Sequence, residues 1–296
     1  MENVLTVKHV SKRFGRHTVL NDISFQVPKG SIVGLIGPNG VGKSTIMKII
    51  LGIYASDSGE VRFNDAHSAK GAKRVGELIE SPAIYPFLTG REQLMLYSHK
   101  DSNDVRKIVE VMGMTDYVDK PVAHYSLGMK QKTGIAIALL QHPELVILDE
   151  PMNGLDPMSN RDLRNLILKL AENGTTFLVS SHILSELEKM IDQVVLLDHG
   201  NVVLADSMIH LHELGANYLS LMTSSNDQCA KLLAANRFCV AETSMSVRVS
   251  LTESPSLNDL FNILLTHHIQ INDVQHLQTD LEDSVLTVLE HQGGNR

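Results

Sequence analysis

The chain has 296 residues, a formal net charge of −8, 43% hydrophobic residues and 20% charged residues, an ordinary globular composition with room for a large and a small domain. The acidic balance argues against a general nucleic-acid coat, which needs Lys and Arg to displace counterions, so no nucleic-acid partner is expected. The longest apolar runs, such as residues 135–140, are too short to cross a bilayer, and no basic segment precedes an apolar core near Met1, so no secretion signal is expected.

In chain order, residues 4–10 alternate like a strand, and residues 18–27 give a second, with Asn21 and Asp22 as a bend. Residues 31–36 form a short apolar run that reads as a buried strand. An apolar helix over 45–52 follows, stopped at Gly52. Between strand and helix stand Gly37, Pro38, Asn39, Gly40, Val41, Gly42, Lys43, Ser44 and Thr45, which fit G-x-x-x-x-G-K-[ST]. The glycines let successive N–H groups point at phosphate oxygens, and the helix adds its positive dipole end. Lys43 can neutralise the β- and γ-phosphates, and the Ser44 hydroxyl can ligate Mg²⁺. A strand-loop-helix of this kind binds a nucleoside triphosphate.

Residues 59–64 and 75–79 read as short strands, and 89–114 as helix, with a cap and break at 101–104. Residues 126–141 are helical, 145–148 an apolar strand, 160–172 a helix stopped at Asn173-Gly174, 176–180 a strand and 183–190 a helix. Residues 194–198 and 201–205 form a hairpin across His199-Gly200. Alternation of strands and helices argues for an α/β core with a largely parallel sheet, and for antiparallel pieces mainly at the start. We expect a domain over 1–208, containing a helical subdomain at about 82–142, and a small α+β appendage over 209–296. In the appendage, 218–222 and 247–251 read as strands, 227–235 and 256–267 as helices, and 280–289 is ambiguous. Cys229 and Cys239 fit no metal framework and read as free thiols; His210, His212, His267 and His268 read as solvated side chains.

Two further segments carry chemistry. The strand over 145–148 ends in Asp149 and Glu150. Ligands of open α/β sheets bind beyond the carboxyl ends of the strands. This places Asp149 near Mg²⁺ and Glu150 near the γ-phosphate, where it can polarise an attacking water. Ser126 opens a helix and Gly128 follows, offering a hydroxyl and unobstructed N–H groups to an anion.

With these segments in this order, residues 4 to about 206 resemble the ATP-binding subunit of an ABC transporter. Ser126 and Gly128 match that family's signature motif, although Leu127 replaces its first glycine and Met129 its glutamine. The resemblance implies an ABC-type P-loop ATPase fold, ATP and Mg²⁺ as cofactors, Phe14 stacked on adenine, Asp156 in the loop after Glu150, and His182 at the γ-phosphate. It also implies a second ATP-binding subunit, with each signature closing on the other's ATP. A separate transmembrane permease would dock at the groove over 80–88 and hold the protein at the inner face of the cell membrane. Glu80 stands where the family has a glutamine near Mg²⁺, the water and the permease contact. With Pro82, Tyr85-Pro86 and Leu88-Thr89-Gly90 after it, this segment resembles the ATPases of bacitracin-type and lantibiotic self-protection exporters. Glu80 adds negative charge near the metal, which should strengthen cation contact and repel the γ-phosphate. The rival reading is an ABC-type ATPase acting on ribosomes or DNA without a permease. Such relatives commonly carry two cassettes or a long insertion, and neither is seen here.

Overall fold

In the computed structural model, residues 2–64, 75–98, 101–140, 142–182, 184–214, 218–242, 246–250 and 256–277 are described. The chain divides into two compact units, Met1–Met208 and Ile209–Arg296.

The first unit opens on two long antiparallel strands, β1 (Asn3–Phe14) and β2 (His17–Pro28). Both outrun the segments that alternation marks, because bulges at His9 and Asp22, with φ of 52° and 56°, let pairing resume beyond each irregularity. The bend expected at Asn21-Asp22 is therefore a kink inside a continuous strand, and Phe14 is the last residue of β1. Next come β3 (Ile32–Ile36), α1 (Lys43–Ile50), β4 (Ser58–Phe63) and β5 (Val75–Leu78). Helix α1 starts two residues earlier than its apolar pattern, since Gly42 caps it and Lys43 and Ser44 already take helical geometry.

The helical region comprises α2 (Gly90–Tyr97), with a capping box between Thr89 and Glu92, and α3 (Ser102–Val111), capped by Asp101. After a single 3₁₀ turn at Val122–His124 comes α4 (Leu127–Leu139), whose cap is Ser126. Strand β6 (Leu145–Leu148) leads to α5 (Pro157–Glu172), capped by Asp156 and started by Pro157 at its first position. Then follow β7 (Thr176–Ser180), the one-turn α6 (Leu184–Leu187), β8 (Gln193–Asp198) and β9 (Asn201–Ser207). Helix α6 is shorter than its apolar pattern suggests. The β8–β9 turn has left-handed residues at both centres, His199 at 44° and Gly200 at 76°, which matches the twist of a tight hairpin.

Strands β3 and β5–β9 form one sheet in the order β5-β6-β7-β3-β8-β9, parallel except for β9. A separate antiparallel sheet has the order β2-β1-β4. The core between them joins Leu5, Leu20 and Ile23 to Leu35, Ile46 and Met47, all fully buried. Each such side chain contributes about 1.5–3 kcal/mol through burial. This packing fixes α1 against β3, and hence the shape of the loop that joins them.

Helix α7 (Met208–Leu214) begins at the end of the first unit. The second unit runs β10 (Tyr218–Thr223), α8 (Asn226–Ala235), β11 (Val240–Glu242), β12 (Val247–Ser250), α9 (Leu257–Thr266) and β13 (Ile271–Leu277). Its antiparallel sheet has the order β11-β12-β10-β13, the ferredoxin-like β-α-β-β-α-β plan. Leu219, Leu221, Val247 and Val249 on the sheet meet Cys229, Leu233, Leu260 and Leu264 on α8 and α9. Cys229 and Cys239 are both free; Cys229 is buried, and burial raises its thiol pKa. The element expected over 280–289 lies outside the described residues.

Candidate functional site

Four neighbouring parallel strands, β5, β6, β7 and β3, end along one edge of the sheet. The segments leaving that edge are residues 79–81, Asp149-Glu150, Ser181-His182 and the loop 37–42. Strand order thus gathers residues more than 140 positions apart in sequence.

The loop needs its glycines for room as well as conformation. Gly37 has φ 154°, and a Cβ there would stand 2.4 Å from the Leu197 carbonyl oxygen. Gly42 has φ 113°, and a Cβ there would stand 2.5 Å from Leu20 Cδ2. Gly40 is left-handed too, and Pro38 and Asn39 are exposed beside it; Val41 packs against the core, and its N–H donates to Pro38 O at 3.3 Å. Lys43 is 6% exposed, and its Nζ donates to the carbonyls of Gly37 at 2.6 Å and Pro38 at 3.3 Å. Burial lowers its pKa, against the raising influence of Glu150 and Asp149. An ammonium held by two neutral carbonyls in a covered site exchanges readily for the stronger acceptors of a phosphate. Thr45 is half-buried on the first turn of α1.

Asp149 is buried at the end of β6 and accepts from Ser44 Oγ at 2.6 Å and Ser180 Oγ at 2.5 Å. Glu150 has φ 50°, uncommon for a residue with a side chain. Its N–H donates to Ser180 Oγ at 2.9 Å, so one buried serine ties both carboxylate residues to the end of β7. The Glu150 carboxylate lies 3.9 Å from Lys43 Nζ on one side. On the other, its Oε2 stands 2.6 Å from His182 Nδ1 and accepts the His182 backbone N–H at 3.2 Å. Ser180 reads from the sequence only as the last residue of the strand over 176–180. A hydroxyl at the carboxyl end of a parallel strand, where such sheets bind their ligands, is the pointer the sequence offers.

Ser44 and Asp149 present adjacent hard oxygen donors, the donor type that Mg²⁺ prefers. Glu80, the third expected ligand, is not in that pair. Its Oε1 accepts from Lys48 Nζ at 2.6 Å. This bond and the lysine charge lower the Glu80 pKa, and the same bond raises that of Lys48. The negative charge that Glu80 brings is met in this conformation by the counter-charge of Lys48.

Phe14 is 45% exposed and meets Tyr54 edge-to-face at a centroid distance of 5.5 Å, with Lys12 Nζ 5.5 Å from its ring. The ring is thus partly covered by Lys12 and Tyr54, and its exposed part is what another ring would meet.

Ser126, Gly128 and Asp156 form a second cluster where α4 and α5 start. The Ser126 hydroxyl accepts from Met129 N at 3.2 Å. A Cβ on Gly128 would stand 3.2 Å from Ser159 Oγ. Asp156 accepts from the N–H groups of Met158 and Ser159 and from Ser159 Oγ at 2.6 Å, and the serine hydroxyl is the main cause of its lowered pKa. Leu127, in place of a glycine, is 43% exposed at the first position of α4, where it does not disturb the cap.

Around residues 80–88, Tyr85 and Phe87 are 49% and 77% exposed, with ring centroids 5.7 Å apart. Fully buried Gln93 holds this segment by accepting from Tyr85 N at 3.0 Å and donating to Ala83 O at 3.3 Å. Beside it lies a cavity of about 220 Å³ lined by Ile53, Leu78, Ile79, Ala83, Tyr97 and Ile137. Among the described residues no helix is long and apolar enough to cross a membrane.

The ABC transporter family pattern matches residues 20–153. The bacitracin transport ATP-binding protein BcrA of Enterococcus faecalis is 34% identical over 293 residues, covering 96% of this chain and 95% of that protein. The lantibiotic transport ATP-binding protein SrtF of Streptococcus pyogenes is 36% identical over 223 residues, 73% of this chain and 97% of that protein. A solved structure described as the ATP-binding subunit of an ABC transporter superposes with a TM-score of 0.63 at 32% identity, covering 71% of this chain and 92% of its own. The similarity to one transport ATP-binding protein along nearly the whole of both chains, and to a solved ATP-binding subunit over most of this one, shows that the chain belongs to the ABC transporter family and is an ATP-binding, ATP-hydrolysing subunit of that kind.

Proposed function

We propose that the chain is the ATPase of a bacterial exporter that removes a peptide antibiotic, for resistance or self-protection. In this reading two copies pair head to tail, enclose two ATP molecules and drive a separate permease at the inner face of the membrane. The observation that carries the catalytic part is the Glu150 carboxylate, held between Lys43 Nζ at 3.9 Å and His182 Nδ1 at 2.6 Å.

Residues 37–45 hold the triphosphate, Phe14 the adenine ring, and Lys43 turns from the loop carbonyls to the β- and γ-phosphates. Ser44 and Asp149 would hold Mg²⁺, which when bound neutralises phosphate charge. Glu150 accepts a hydrogen bond from the attacking water and aligns it with the γ-phosphate. His182 fixes the carboxylate. With Nδ1–H directed to Glu150, its Nε2 can donate to the γ-phosphate only as an imidazolium. Ser126 and Gly128, with Asp156 beside them, complete the partner's site. The exposed Tyr85–Phe87 face and its neighbouring cavity receive the permease, so that closing of the pair moves it. The full-length similarity to a bacitracin transport ATPase supports the peptide-antibiotic reading.

The test is Glu150→Gln. The amide keeps the volume but not the strong acceptor, so the variant binds ATP, accumulates as a dimer in size-exclusion chromatography with MgATP, and hydrolyses very slowly. Undiminished hydrolysis removes Glu150 from its role.

A further inference from the structure

Helix α1 carries the phosphate loop at its start and Lys48 in its last turn. Ser44 and Lys48 are four residues apart, and therefore on one face of the helix, separated by about one turn of 5.4 Å. Ser44 Oγ bonds to Asp149 at 2.6 Å, and Lys48 Nζ bonds to Glu80 at 2.6 Å. Lys48 thus ties Glu80 to the helix face that also carries Ser44. Glu80 sits in a tight turn in which Ser81 N donates to Ile79 O at 2.9 Å, and its φ is 64°. This resembles the strained γ-turn, and a non-glycine residue persists there only when its surroundings hold it. Lys48 is the side chain that meets the Glu80 carboxylate there. Its side chain is 21% exposed against 69% for Glu80, and Nζ also lies 5.7 Å from the Tyr54 ring. Tyr54 in turn meets Phe14. A continuous run of contacts therefore joins Phe14 to the loop that carries Glu80.

We propose that Lys48 is a positioning residue for nucleotide binding: it neutralises the Glu80 carboxylate and holds it away from the triphosphate. A chain with glutamate at this position needs such a partner, because an uncompensated carboxylate near the Ser44 corner repels a nucleotide anion. Lys48 acts through Glu80. The proposal rests on the reading that nucleotide binds at residues 37–45.

The test measures binding of a fluorescent ATP analogue to the purified chain in EDTA, where no cation masks the repulsion. Lys48→Met is expected to weaken binding roughly three- to tenfold, in line with one uncompensated charge at partly screened range. Lys48→Arg, which keeps the charge, stays near wild type. Glu80→Gln placed on Lys48→Met restores affinity, because the charge that needed compensation is gone. Equal affinity of Lys48→Met and wild type overturns the inference. So does a loss that Glu80→Gln fails to rescue, which would make Lys48 a packing residue. A wild-type chain that binds no nucleotide instead overturns the site itself, so the two failures are distinguishable.

Discussion

Ser180 supplies a demanding test of how the carboxylate pair is held. It is fully buried, donates to Asp149 at 2.5 Å and accepts the Glu150 N–H at 2.9 Å. Ser180→Ala removes both bonds at once and leaves an amide and a carboxylate oxygen facing a methyl group. A hydrogen bond to a charged group contributes about 1.5–3 kcal/mol. Glu150 occupies a left-handed backbone conformation that is held in part by this contact. If the same energy is lost from alignment of the carboxylate, kcat falls about 10- to 100-fold, at about 1.4 kcal/mol per factor of ten. The Lys43 contacts to Gly37 and Pro38 do not involve Ser180, so nucleotide affinity stays within about threefold of wild type on the same scale. Steady-state hydrolysis separates the two effects as a change in kcat with little change in KM, and fluorescent nucleotide binding checks the affinity. Ser180→Thr retains the hydroxyl and recovers most of the rate. A Ser180→Ala enzyme with a kcat within twofold of wild type would refute the reasoning.

Ser126→Arg places a long cation at the start of α4, where Ser126 is exposed; nucleotide affinity of the single chain is retained, while ATP-dependent dimerisation and turnover are lost. Gel filtration of the Ser126→Arg, Glu150→Gln double variant checks this, because a persisting dimer would show that Ser126 does not face the partner. Gly42→Ala forces a Cβ to 2.5 Å from Leu20 and 3.2 Å from the Val19 carbonyl at φ 113°. The loop must shift, and nucleotide affinity drops more than tenfold at a cost of about 1.4 kcal/mol or more. Wild-type affinity in a titration would show that the loop tolerates the change.

What the sequence makes legible is whatever local chemistry dictates. The phosphate loop is announced by glycines at 37, 40 and 42, the carboxylates by four aliphatic residues before Asp149, and the β8–β9 hairpin by His199-Gly200. Pairings between distant segments are not announced. Lys48 reads as an ordinary helix lysine until β5 is placed beside β6 and brings Glu80 to it, and Ser180 reads as the last residue of a strand. Strand length is hidden for a related reason. β1 continues to Phe14 because Arg13 and Phe14 pair with Thr18 and His17, although Ser11, Lys12 and Arg13 break the apolar alternation. In the second unit, β11 has three residues and β13 begins Ile-Asn-Asp-Val, mostly exposed at a sheet edge, so neither shows a buried face to period analysis. Without them, the two strands and two helices that the sequence does show leave the ferredoxin-like order unreadable.

The central claim is that this ATPase serves a separate membrane permease. The most direct measurement is affinity purification of the chain from gently solubilised membranes of its native host, with co-purifying proteins identified by mass spectrometry. The account predicts a multi-span membrane protein in comparable amount, retained by the wild type and lost when Tyr85 and Phe87 are changed to serine. Recovery of ribosomes or a non-membrane protein, with no membrane-spanning partner, would contradict it.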